Sequence, residues 1–151
     1  MLTFDPIIYD KLLRFCSYQE RAISEVKTKM QKLGVIESLY DDYLKELQED
    51  NYQNELRYAE AFASGKMRLK AWGARKVEMH LKQKGVDSSI IRTVLEGSQD
   101  DAYMERLKEL VEQKLERVKG KDDYERKSKV FRFLQQKGYE SDLIHKVLFR
   151  D

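Results

Sequence analysis

The sequence predicts an all-α fold of three tandem three-helix repeats, about nine helices in an elongated or curved array. Three observations point there. The chain is rich in Lys, Glu, Leu and Arg, with 37% Asp, Glu, Lys or Arg, one Pro and seven Gly among 151 residues. Such a mixture favours long helices over a sandwich or barrel. A residue pattern recurs around three glycines, and helix-start signals stand where that pattern needs them.

The recurring segments are EVKTKMQKLGVIESLYDDYL (25–44), KVEMHLKQKGVDSSIIRTVL (76–95) and KVFRFLQQKGYESDLIHKVL (129–148). Eight residues before each glycine stands Val26, Val77 or Val130, and four before it Met30, Leu81 or Leu134. Five after it come Leu39, Ile90 and Leu143, and ten after it Leu44, Leu95 and Leu148. The first two positions form an i, i+4 pair on one helix face. Gly34, Gly85 and Gly138 then supply the left-handed conformation that stops a helix.

The elements follow in order. Asp5-Pro6 reads as an N-cap and a proline at the first helical position, opening a helix over about 6–16. Ser17-Tyr18-Gln19-Glu20 has capping-box spacing and is expected to start the helix that Gly34 ends. A third helix restarts near Ser38 and closes the first repeat, 1–48. The second repeat, 49–97, opens with a long helix over about 54–70; a Trp72-Gly73 pair leads the next helix, Gly85 stops it, and Asp87 suits the following cap. The third repeat, 98–151, opens over about 99–119. Asp122-Asp123-Tyr124-Glu125 gives it a capping box with aspartate in the capping role, and Ser141 suits the last N-cap.

Much chemistry is missing from this pattern. His80 and His145 fall in different repeats, and neither has ligand spacing to Cys, His or carboxylates, so no metal site is expected. There is no phosphate-cradling glycine loop and no nucleophile motif, so neither a catalytic residue nor a cofactor is expected. The paired acids Asp41-Asp42, Asp100-Asp101 and Asp122-Asp123 lie at helix starts or on helix faces, where capping explains them. Cys16, the single cysteine, is expected to be a small buried hydrophobe. No apolar run approaches the roughly 18 residues of a membrane span. The N-terminal MLTFDPIIYD lacks a leader's basic and apolar regions, so a soluble, cytoplasmic protein is expected.

Charge is the informative surface property. Residues 1–50 carry 7 basic and 10 acidic side chains, net −3; residues 51–97 carry 9 and 5, net +4; residues 98–151 carry 13 and 12, net +1. Between Lys66 and Lys84 seven basic residues face one acid, Glu78. At 100° per residue, Ala74, Val77 and Leu81 make an apolar stripe, while Arg75, Lys76 and Lys82 project away from it. Lys76 recurs as Lys129 in the third repeat and is Glu25 in the first. Candidate contacts for nucleic acid or an acidic partner are therefore Lys66, Arg68, Lys70, Arg75, Lys76, Lys82 and Lys129. Trp72, Tyr58, Phe62, Phe131 and Phe133 are expected to pack between helices.

The segments CSYQERAISEVKTKM (16–30), ELRYAEAFASGKMRLKAWGARKVEMHLKQKGV (55–86) and VFRFLQQKGYESDLIHKVL (130–148) resemble the RecX family of bacterial regulators of the RecA recombinase. The middle segment is the most specific, through Arg57, Tyr58, Ala59, Phe62, Gly73, Leu81, Lys84, Gly85 and Val86. The resemblance implies a non-catalytic protein of curved three-helix repeats, and a monomer is expected. It also implies binding to RecA–single-stranded DNA filaments in their groove, with inhibition of their ATPase, strand-exchange and coprotease activities. The residues themselves leave two alternatives open: a direct nucleic-acid-binding module of helix-turn-helix type, and a helical scaffold for an unrelated protein.

Overall fold

The computed structural model describes residues 4–149. The first three residues, part of the stretch read above for a leader, and the last two, at the end of the third repeat, lie outside the described residues. Among the described residues there are nine α-helices: α1 (Pro6–Tyr18), α2 (Ile23–Lys32), α3 (Tyr40–Glu49), α4 (Glu55–Leu69), α5 (Ala74–Gln83), α6 (Ser88–Ser98), α7 (Asp101–Arg117), α8 (Asp123–Lys137) and α9 (Ser141–Leu148). One 3₁₀ turn, Glu37–Leu39, precedes α3, and the described residues contain no strand. They form two compact units. The first runs to Ala61 and takes in Leu81–Ile91; the second comprises Phe62–His80 and the chain from Arg92 onward.

The glycine pattern acts as expected. Gly34, Gly85 and Gly138 have φ of +80°, +78° and +99°. After each, the next residue's N–H returns to the carbonyl of the buried Met or Leu: Val35 to Met30 at 3.0 Å, Val86 to Leu81 at 3.1 Å and Tyr139 to Leu134 at 3.1 Å. The three stops are one motif, satisfying carbonyls that the helix end would otherwise orphan. Val26, Val77, Val130, Met30, Leu81 and Leu134 are all fully buried.

Start signals hold in part. Asp5 accepts from the Ile7 N–H, with Pro6 at the first helical position. Asp100 and Asp122 cap α7 and α8, and Asp87 accepts from the Ser89 N–H. Ser17 does not start a helix. It lies inside α1, where its hydroxyl donates to the Leu13 carbonyl at 2.8 Å, and α2 starts after Ala22, whose N–H donates to Glu25 at 2.8 Å. A serine can bond backward to the helix carbonyl four residues before it as readily as cap forward. Ser38 falls in the 3₁₀ turn, and Ser141 is the first residue of α9, not its cap.

In the first unit, Leu12, Cys16, Val26, Met30, Tyr43, Leu44 and Leu47 form the core of α1–α3. Burial pushes the Cys16 thiol up to about 11, against a smaller opposing pull from Arg21, so it behaves as the small hydrophobe expected. Arg57 clasps the loops around that core. Its guanidinium donates to Glu20 at 2.6 Å, to the Asn51 side chain at 3.1 Å and to the Asn51 carbonyl at 2.9 Å. Glu55 accepts from the Ile23 N–H at 2.9 Å, and Asn54 caps α4 by accepting from the Arg57 N–H. The motif residues 54–57 thus fix the start of α4 and the turn before α2 together.

In the second unit, Val77, Leu107, Val111, Val130, Leu134, Tyr139, Ile144 and Leu148 are buried. Tyr58 is buried as expected, whereas Phe62, Trp72, Phe131 and Phe133 are half-buried. The Lys114 ammonium lies 4.1 Å from the Phe133 ring centroid.

Candidate functional site

Why the basic helix opens with Trp-Gly is a matter of close approach. The C-terminal end of α8 docks on the N-terminus of α5: the Gly73 N–H donates to the Lys137 carbonyl at 2.8 Å and the Arg75 N–H to the Gly138 carbonyl at 2.9 Å. The Ala74 N–H between them donates to the Tyr103 hydroxyl at 2.9 Å. Orphan donors of one helix and orphan acceptors of another satisfy each other, with their macrodipoles in a favourable order. A Cβ on residue 73 would lie 2.3 Å from the Gly138 carbonyl carbon and the Tyr139 nitrogen. Only glycine fits.

The turn before α5 is held from the same side. The Lys137 ammonium donates to the Lys70 carbonyl at 2.8 Å and the Tyr139 hydroxyl to the Ala71 carbonyl at 3.0 Å. Ala71 is left-handed at φ +55°, an uncommon conformation for alanine that these bonds maintain. Trp72 then packs against His80 at 4.6 Å and edge-on to Phe62 at 6.1 Å between ring centroids. Two cations stand near its ring, Lys76 Nζ at 4.6 Å and Lys66 Nζ at 5.1 Å from the centroid.

The predicted contact residues therefore differ in kind. Arg68, Lys70 and Arg75 are exposed in the second unit. Lys66 and Lys76 are half-buried against Trp72, and the Lys76 Cβ is where a Cβ on residue 138 would collide, at 2.4 Å. Lys76 thus does not simply project away from the apolar stripe; the wheel omits the α8 end that covers it. Lys129 is drawn to its own repeat, donating to the Lys119 carbonyl at 2.6 Å and pairing with Glu125 at 3.6 Å. Lys82 is exposed in the first unit, at the end of α5. Leu69, 86% exposed, sits in sequence between the exposed Arg68 and Lys70.

Nothing in the residue pattern singles out Tyr103, the positioning residue beneath this face. Its hydroxyl accepts from Ala74 and donates to Glu140 at 2.7 Å, and desolvation, then Glu140, raises its pKa well above the usual phenol range. Tyr103→Phe leaves the Ala74 N–H buried without an acceptor. A loss of ~1–3 kcal/mol in chemical denaturation is expected; a change under about 0.5 kcal/mol would show that the α5 start finds another partner.

His80 and His145 both lie against aromatic rings, and no group of three or more His, Cys, Asp or Glu among the described residues could hold a metal ion. No described helix is long and apolar enough to cross a membrane.

With this geometry in view, similarity to known proteins is informative. Residues 54–95 match the family model for RecX, second three-helix domain, and residues 101–148 that for RecX, third three-helix domain. The regulatory protein RecX of Finegoldia magna is 30% identical over 92% of this chain and 69% of its own length. The chain belongs to the RecX family. RecX of Oceanobacillus iheyensis is 28% identical over 93% of this chain, which spans 52% of that relative, so the chain covers about half the length of some curated relatives. A crystal structure of RecX from Lactobacillus salivarius shares the fold, with a TM-score of 0.87 at 24% identity over 95% of this chain and 93% of that one. In RecX terms, the α8–α5 docking joins the third three-helix domain to the second within one compact unit.

Proposed function

We propose that this RecX-family chain binds RecA–single-stranded DNA filaments along their groove and inhibits their ATPase, strand-exchange and coprotease activities. It acts as a cytoplasmic, non-catalytic monomer built of repeats at 1–48, 49–97 and 98–151. The observation that carries this reading is the run of exposed Arg68, Lys70 and Arg75 around a turn fixed from α7 and α8. Cations on a pinned turn lose little freedom on meeting phosphate or carboxylate, and arginine can engage either in bidentate fashion. A filament groove offers both chemistries side by side.

A local basic cluster in a chain of net charge only +2 argues that naked DNA is held weakly to moderately, through phosphates. With about four contacts to a single strand, log K should fall with log salt at a slope near −3, at roughly −0.7 per contact. Fluorescence anisotropy of a labelled oligonucleotide across a salt series measures it. A salt-independent nanomolar complex with one duplex sequence would instead mean base readout and the helix-turn-helix alternative.

A further inference from the structure

A second cationic site lies wholly within the first unit, the unit whose leading 50 residues are net negative. An open cleft of about 460 Å³ runs between α1, α2 and the turn after α5, walled by Phe15, Ser24, Thr28, Lys29, Lys32 and Lys84 with Glu25 at one side. The end of α5 contributes Gln83 and the following Lys84, while Arg68, Lys70 and Arg75 are not among the lining residues. The cleft is built firmly. The Ser24 hydroxyl donates to the Lys84 carbonyl at 2.6 Å, fixing the turn that carries Lys84 against the start of α2. Thr28 donates to the Ser24 carbonyl at 3.0 Å. The aromatic wall is already cationic: the Arg21 guanidinium lies 3.8 Å over the Phe15 ring centroid, with its Nε donating to the Phe15 carbonyl at 2.9 Å, and Lys29 Nζ is 5.5 Å from the same ring.

We infer that this cleft is a second binding site for the sugar–phosphate backbone of single-stranded nucleic acid. Lys29, Lys32 and Lys84 against Glu25 leave a local charge of +2. Lysine ammoniums are point charges that meet phosphate oxygens from many directions, so they suit a flexible strand. An aromatic ring among cations in an open groove is the combination that single strands use, phosphate on the charges and sugar or base against the ring. A carboxylate-rich peptide would use the charges and leave the ring idle.

Glu25 is the device that keeps the site weak. One carboxylate oxygen accepts from the Ala22 N–H at 2.8 Å and caps α2, while the other pairs with Lys84 at 3.3 Å. An arriving phosphate must compete with it for Lys84 and meets its like charge. The site therefore engages only a strand held near it, as one bound elsewhere on the protein would be.

The test uses the full chain and a labelled oligothymidylate in a salt series, with poly-glutamate as a protein-like polyanion. Lys29→Gln with Lys32→Gln should weaken oligonucleotide binding about five- to tenfold and make the salt slope shallower by about 1.4, two contacts at 0.7 each. A slope unchanged by the double variant overturns the proposal. So does a loss seen with poly-glutamate alone, which would assign the cleft to an acidic protein. Should the double variant lose helicity, Glu25→Gln decides in its place, since the amide oxygen can still cap α2. It should tighten oligonucleotide binding by about twofold or more as a like charge disappears; unchanged affinity would overturn the site. The proposed filament contact is read separately, because variants of Arg75 and Lys70 leave these residues untouched.

Discussion

Gly73→Ala should cost about 3 kcal/mol or more. The added Cβ would sit 2.3 Å from main-chain atoms of Gly138 and Tyr139, which cannot rotate aside as a side chain could. Relief requires the end of α8 to withdraw from α5, breaking the Gly73–Lys137 and Arg75–Gly138 hydrogen bonds. Overpacking of ~1–3 kcal/mol and two bonds at ~1 kcal/mol each make that estimate. Thermal melting should fall by roughly 6–12 °C for a domain of this size. Gly65→Ala is the internal control. It lies in α4 with nothing within 4 Å of the new Cβ, and should be neutral or stabilising by up to ~1 kcal/mol. Equal effects at the two positions would mean that α8 does not dock on α5 in solution.

Reversing charge at Lys70 and Arg75 together should leave melting nearly unchanged and weaken inhibition of RecA ATPase at least about tenfold, a loss of ~1.4 kcal/mol or more. Both side chains are exposed; the turn is held by the Lys70 carbonyl and the Arg75 N–H, which substitution retains. Lys76 is a poor choice for this experiment, because its stem lies on Gly138 and its ammonium near Trp72. Lys129→Glu should have a much smaller effect, since that ammonium is bonded to Lys119 and Glu125. Inhibition at wild-type concentrations by the doubly reversed protein would make the face ordinary solvated charge.

The helices were legible because their causes are local. A valine eight residues before a glycine and a Leu or Met four before it fix one buried stripe and one stop, and both need only neighbours within two turns. Asp5, Asp87, Asp100 and Asp122 cap for the same local reason. Ser17 misled because serine bonds backward to a carbonyl or forward as a cap, and spacing alone does not choose. The candidate site was legible only as charge. Which cations are exposed depends on Gly138 and Trp72, and Gly138 lies 62 to 72 positions away, beyond any helical period. Tyr103, Lys137 and Glu140 act through hydrogen bonds that pattern cannot anticipate, and the reason for the Gly after Trp72 lies in the same distant helix end.

Co-sedimentation with RecA–single-stranded DNA filaments, against DNA alone and RecA alone at the same salt, tests the proposed function most directly. The protein should pellet with the assembled filament at concentrations where neither DNA nor RecA alone retains it. It should leave the pellet when Lys70 and Arg75 are reversed. Equal retention by bare DNA, or none by the filament, would contradict the account.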